Sequence, residues 1–114
     1  MLIVEDEPLV RMIAVDIVEE AGFEAVQAED ADGAVRILES RRDVQIVLTD
    51  IDLPGSRNGV ELAVVIRERW PPIEILVTSG LYELASDELP QRCKFIPKPY
   101  KPWQIAATLR ELTK

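Results

Sequence analysis

Val44-Gln45-Ile46-Val47-Leu48-Thr49-Asp50-Ile51-Asp52-Leu53-Pro54 is the stretch that decides how this chain folds. Its first half is a short run of branched apolar residues, the pattern of a strand buried on both faces. It then breaks into two carboxylates, Asp50 and Asp52, and a proline that cannot continue a ladder. A buried strand that hands an aspartate to its C-terminal end places it where open α/β sheets keep their chemistry.

Working outward, the same pattern recurs. Leu2-Ile3-Val4 is a short buried-strand signal running into Glu5-Asp6-Glu7. Pro8 suits the first turn of a helix, whose apolar spacing is Val10, Ile13, Ala14, Ile17, Val18 and Ala21, with Gly22 as terminator. Phe23 to Ala28 reads as a second strand. Asp30 or Asp32 caps a second helix with Ala34, Val35, Ile37 and Leu38 on its apolar face. Val44 to Thr49 is the third strand, followed by a Pro-, Gly-, Ser- and Asn-rich loop. Gly59 opens a third helix bearing Leu62, Ala63, Val65 and Ile66, and Trp70-Pro71-Pro72 ends it. Ile73 to Val77 is a fourth strand running into Thr78-Ser79-Gly80. Leu81, Leu84, Ala85 and Leu89 mark a short helix between residues 81 and 92. Lys94 to Pro97 is a fifth strand, at an edge because of Pro97. Trp103, Ile105, Ala106, Leu109 and Leu112 line a last helix.

Five strands alternating with five helices predict an α/β fold: a doubly wound parallel sheet in three α/β/α layers. The 114 residues suffice for one domain, here residues 1–114, with no repeat or linker. A net charge of −8 and a pI near 4.5 exclude nucleic-acid binding through this domain, which would need a basic face. No apolar run reaches membrane-spanning length and no signal segment opens the chain, so a cytoplasmic location is expected. The single cysteine, Cys93, rules out an internal disulfide and reads as an inert thiol. With no histidine anywhere, serine–histidine hydrolysis and histidine-ligated zinc are excluded, as is any phosphohistidine on this chain.

Parallel strands all end on one rim. The first brings Glu5 and Asp6 there, and the third brings Asp50 with Asp52 just beyond. Converging carboxylates must be protonated or share a cation, and oxygen ligands alone suit a hard ion such as Mg²⁺. The fourth strand adds a hydroxyl, Thr78 or Ser79, and the fifth an ammonium, Lys98. Carboxylates, metal, hydroxyl and ammonium together suit a phosphoryl group carried on a carboxylate.

Leu2-Ile3-Val4-Glu5-Asp6-Glu7, Leu48-Thr49-Asp50 with Pro54 and Gly59, Val77-Thr78-Ser79-Gly80, and Phe95-Ile96-Pro97-Lys98-Pro99-Tyr100 together resemble the receiver domain of bacterial response regulators, in the two-component signalling family. The motifs span the chain in the family's order. The resemblance implies a flavodoxin-like (βα)5 fold and makes Asp50 the phosphoacceptor. It makes Glu5 and Asp6 the acidic pair that holds Mg²⁺ (or Mn²⁺), with Asp6 the more direct ligand. Asp52 matches the position whose backbone carbonyl binds the metal. Lys98 matches the lysine that pairs with the phosphoryl group, Phe95 the aromatic switch position, and Pro99 the proline after a cis bond. Counting twenty residues on from Gly59 makes Ser79 the switch hydroxyl, with Thr78 the alternative.

By the same resemblance a histidine kinase or histidine phosphotransfer protein donates the phosphoryl group, and a further protein reads the result. Monomer and dimer are both open. The chain departs from the family pattern in having Glu5 where aspartate is commoner. One extra residue lies between Pro54 and Gly59, the segment before the fifth strand is short, and almost no lead-in precedes the first strand, which reads as a trimmed start. Two rival classes use the same residues. Asp50-Ile51-Asp52 also opens phosphatases and phosphotransferases of the haloacid dehalogenase type, with Asp50 as nucleophile and Asp52 as general acid. A flavin-phosphate binder would share only the fold, and Glu5-Asp6-Glu7 would repel its phosphate. A receiver that keeps the fold without taking phosphate is the remaining alternative.

Overall fold

In a computed structural model the described residues are 1–55, 57–80 and 89–112. The strands are β1 (Leu2–Val4), β2 (Val26–Ala28), β3 (Ile46–Asp50), β4 (Glu74–Ser79) and β5 (Cys93–Pro97). The helices are α1 (Pro8–Glu20), α2 (Ala31–Ser40), α3 (Gly59–Arg69) and α4 (Pro102–Leu112). All five strands are parallel, in the order β2-β1-β3-β4-β5. This is the flavodoxin-like doubly wound sheet. The order reverses between β1 and β3, which makes the rim beyond those two strands the natural crevice.

The central strands are buried along their length because helices cover both faces. Alternate side chains feed two cores. Leu2, Val4, Val47, Ile75 and Val77 meet Ala34 and Leu38 of α2 and Leu62 and Ile66 of α3. Ile3, Ile46, Leu48, Leu76 and Ile96 meet Ala14, Ile17 and Val18 of α1 and Ile105 and Leu109 of α4. Strand period two and helix period 3.6 together dictate this division.

Local chemistry sets the element ends. Pro8 occupies the first turn of α1, and Gly22 follows that helix with φ +94°, a conformation few side chains tolerate. Asp30, rather than Asp32, caps α2 by accepting from the Gly33 amide at 2.7 Å. Asn58 caps α3 in a reciprocal box, its side chain accepting from the Glu61 amide while Glu61 accepts from the Asn58 amide, each at 2.9 Å.

Several boundaries differ from the sequence reading. β2 begins at Val26 rather than Phe23, because Phe23 and Ala25 turn to pack on the α1/α4 core. β3 starts at Ile46 and includes Asp50, and β4 extends through Ser79. Ile13 and Trp103 are not core residues: they are 58% and 64% exposed. The fifth helix expected between β4 and β5 falls chiefly on residues 81–88, outside the described residues, and residues 89–92 are not helical, with a turn at 91–92. Of the stretch Ser56-Arg57-Asn58 that carries the extra loop residue, Ser56 also lies outside the described residues. β5 is an edge strand with Pro97 at its end, where a missing amide costs no ladder bond.

Candidate functional site

β1 and β3 lie side by side, with Val4 opposite Thr49, so the next residues of both strands reach one rim. Glu5 is buried there, its amide held by the Ala28 carbonyl at 3.0 Å. Asp50 closes β3 opposite Thr78 and is also buried. Asp6 is exposed at the same rim. One carboxylate oxygen from each of Glu5, Asp6 and Asp50 lies within 4.8 Å of the other two.

Lys98 follows β5, and its amide donates to the Ser79 carbonyl at 3.0 Å. Its Nζ donates to Glu5 Oε1 at 2.8 Å and to Asp50 Oδ2 at 3.1 Å. The second oxygen of Glu5 accepts from the Glu7 amide at 3.3 Å, and Asp50 Oδ1 accepts from the Asp52 amide at 3.3 Å. The Lys98–Pro99 peptide bond is cis.

One ammonium therefore bridges two carboxylates, with the third, Asp6, close to both of them. Burial raises the Glu5 pKa above the ordinary glutamate value and the Asp50 charge adds to the rise, outweighing the hydrogen bonds from Lys98 and the Glu7 amide. Burial opposes the charge on Lys98, yet the hydrogen bonds and charges of Glu5 and Asp50 prevail and raise its pKa. For Glu5 burial is the larger cause and the neighbouring Asp50 charge the smaller, whereas for Lys98 the two carboxylates decide the direction. A hard divalent cation relieves the excess of negative charge, and the donors on offer are all oxygens, as such ions require.

Ser79 ends β4 almost fully buried, and its hydroxyl donates to Asp52 Oδ2 at 3.4 Å. Thr78, its neighbour, is buried opposite Asp50 in the ladder. Phe95 sits half-buried on β5 in register with Val77, against the α2/α3 core. It is outside the ion network. The Cys93 thiol is half-buried and its pKa is raised, with burial the main cause.

The supporting roles of three residues went unread in the sequence, although Thr49 and Gly59 were quoted among its motifs. Arg11, on the first turns of α1, donates to the Glu5 carbonyl at 2.9 Å and to Gln27 Oε1 at 3.0 Å, fixing the end of β1. An arginine six residues after Glu5 was the available signal. The Thr49 hydroxyl, fully buried, donates to the Asp50 carbonyl at 3.0 Å. Gly59 lies so close to β3 that a Cβ there would sit 2.7 Å from the Asp50 carbonyl carbon and 2.8 Å from Ile51 Cα.

Comparison with known proteins gives a consistent result. The family model of the response regulator receiver domain matches residues 1–110. The chain is 38% identical over 81 residues to the nitrogen assimilation regulatory protein NtrX of Azorhizobium caulinodans, a match covering 70% of this chain and 18% of that protein. It is 34% identical over 116 residues to the sensor kinase CckA of Brucella abortus, covering 98% of this chain and 12% of that one. The chain thus spans less than a fifth of either curated relative. Among solved structures, the receiver domain of NtrX from Brucella abortus superposes with a TM-score of 0.87 at 29% identity, covering 97% of this chain and 95% of that one. No helix among the described residues is long and apolar enough to cross a membrane.

Proposed function

Because this chain belongs to the response regulator receiver domain family of two-component signalling, we propose that it is a phosphorylation switch whose acceptor is Asp50. The observation that carries this reading is the pair of buried carboxylates, Glu5 and Asp50, bridged by one Lys98 ammonium with Asp6 at the open side. An Asp50 oxygen forms the new O–P bond as the N–P bond of a phosphohistidine donor breaks. That donor is a histidine kinase or phosphotransfer protein, its histidine lying outside these 114 residues, which hold none. No observation favours turnover of small phosphate esters by Asp50 and Asp52, and we read the protein as a switch rather than an enzyme.

Glu5, Asp6 and Asp50 fit Mg²⁺ or Mn²⁺ by donor type and spacing, and the backbone carbonyl of Asp52 completes the set we assign. A bound cation supplies charge neutralisation for phosphoryl oxygens at this rim. Lys98 supplies the second positive group and already touches Asp50 at 3.1 Å. Ser79, rather than Thr78, is the hydroxyl that answers the phosphoryl group: its Oγ faces the open rim toward Asp52, while Gly80 beside it leaves room. Phe95 is the aromatic that shifts with it, from its half-buried place on the edge strand. The new charge then alters a surface read by a protein partner, and the net charge of −8 speaks against DNA or RNA as that partner. We assign the protein to the cytoplasm, where kinase and partner would meet it as monomer or dimer.

Intact mass after treatment with a small phosphodonor tests this. One phosphoryl group adds in Mg²⁺, none adds after chelation, and none adds to Asp50→Asn. Equal addition to wild type and Asp50→Asn would place the acceptor elsewhere.

A further inference from the structure

The contact between Ser79 and Asp52 joins the end of β4 to the loop after β3. Ser79 is 1% exposed, so its hydroxyl has few directions in which to find a partner. One partner is Asp52 Oδ2 at 3.4 Å, across the rim from β4 to the loop after β3. Asp52 is itself steered: its amide donates to Asp50 Oδ1 at 3.3 Å, and the residue is exposed to solvent. A carboxylate only accepts, so the serine must be the donor, and a proton given to Asp52 is not available to a phosphoryl oxygen. At 3.4 Å the bond is long for O–H···O, well short of the strongest charge-assisted contacts, and therefore easily exchanged.

Resting on the reading of Asp50 as phosphoacceptor, we propose that Asp52 is a positioning residue: its carboxylate holds the Ser79 hydroxyl in the phosphoryl-free protein, and Ser79 engages a group on Asp50 only by leaving Asp52. The latch opposes the switched state by the strength of one weak hydrogen bond. Any ligand that needs the Ser79 proton must overcome it, and its apparent affinity falls accordingly.

The test is a double-mutant cycle read by calorimetric titration with fluoroberyllate in Mg²⁺, a tetrahedral phosphoryl mimic that bonds to a carboxylate. Wild type, Asp52→Ala, Ser79→Ala and the double variant are compared, each first checked for an unchanged melting temperature. Asp52→Ala binds about fivefold more tightly than wild type, the scale of one net hydrogen bond. The gain disappears when Ser79 is already alanine, because no hydroxyl is left to release. Asp52→Asn, which keeps an acceptor without the charge, falls between. An equal gain with and without Ser79 would overturn the latch and leave only charge repulsion from Asp52. No gain in Asp52→Ala, with wild type binding normally, would overturn it outright. If wild type binds no more fluoroberyllate than Asp50→Asn does, the acceptor reading fails and the latch falls with it.

Discussion

Replacing Gly59 with alanine tests whether α3 is what fixes Asp50 in place. Its Cβ would meet the Asp50 carbonyl carbon at 2.7 Å and Ile51 Cα at 2.8 Å, where carbon atoms prefer about 3.5–4.0 Å. Neither side yields easily. Asp50 lies in the ladder opposite Thr78, the Ile51 amide donates to the Thr78 carbonyl at 2.9 Å, and the Gly59 amide donates to the Ile51 carbonyl at 2.9 Å. A separation of roughly 1 Å must therefore open between the helix and the end of β3. Forcing a methyl into packed structure costs about 1–3 kcal/mol, occasionally more. The helix-propensity gain of alanine over glycine offsets at most about 1 kcal/mol, and less in a first turn. We expect a net loss of about 1–2 kcal/mol and, for a domain of this size, a melting temperature lower by roughly 4–8 °C. The displaced carboxylate also loses its alignment with Lys98, so phosphoryl uptake slows at least about tenfold. Gly22→Ala is the control. Its φ of +94° makes alanine uncomfortable, but a Cβ there meets nothing within 4 Å. It should lose about 1 kcal/mol and phosphorylate normally. Thermal unfolding by circular dichroism and the rate of mass gain read both effects. A Gly59→Ala protein melting within about 2 °C of wild type and phosphorylating at the same rate would refute the account.

Asn58→Ala removes the side-chain acceptor of the α3 capping box, leaving the backbone amide at position 58 to Glu61, and should cost about 1 kcal/mol in urea titration with the m-value unchanged; an unchanged midpoint would show that the side-chain cap contributes nothing. Arg67 donates to four backbone carbonyls, those of Pro71, Ile73, Gln91 and Arg92, tying the loop before β4 to the turn before β5. Arg67→Ala should destabilise by about 2 kcal/mol and Arg67→Lys by nearly as much, since an ammonium lacks the planar fork; full rescue by lysine would show that charge alone matters. Mg²⁺ should raise the melting temperature increasingly with pH. The raised pKa of Glu5 means that folding favours its protonated form, a contribution complete below 4.5 and lost as pH climbs through the raised value. A cation needs the deprotonated carboxylate, so its stabilisation grows over that same window, and a Mg²⁺ increment independent of pH across it would contradict the assignment.

The alternation of apolar runs with amphipathic segments was enough to place, among the described residues, the five strands and four helices in chain order, because burial on both sheet faces leaves a continuous hydrophobic signature. Acids placed directly after strand-forming runs were enough to mark the rim, since parallel strands share one C-terminal edge. Lys98 and Ser79 could be nominated, but not their partners. Ile13 and Trp103 look like core residues on any helical wheel, yet the neighbouring helix covers only part of each face. Phe23 reads as strand by propensity, and packing against α1 overrides it.

What the sequence determined by itself was which residues could meet: composition, periodicity and punctuation are local, and they set the elements and the chemistry at their ends. What only the tertiary structure decided was which groups bond. That Lys98 spans Glu5 and Asp50, that Ser79 turns to Asp52, and that Gly59 must lack a side chain all depend on strand order, on register and on the angle at which α3 meets β3. Hydrogen bonds and steric contacts are settled within fractions of an ångström, and residues ninety-three positions apart reach that precision only when the whole sheet is assembled.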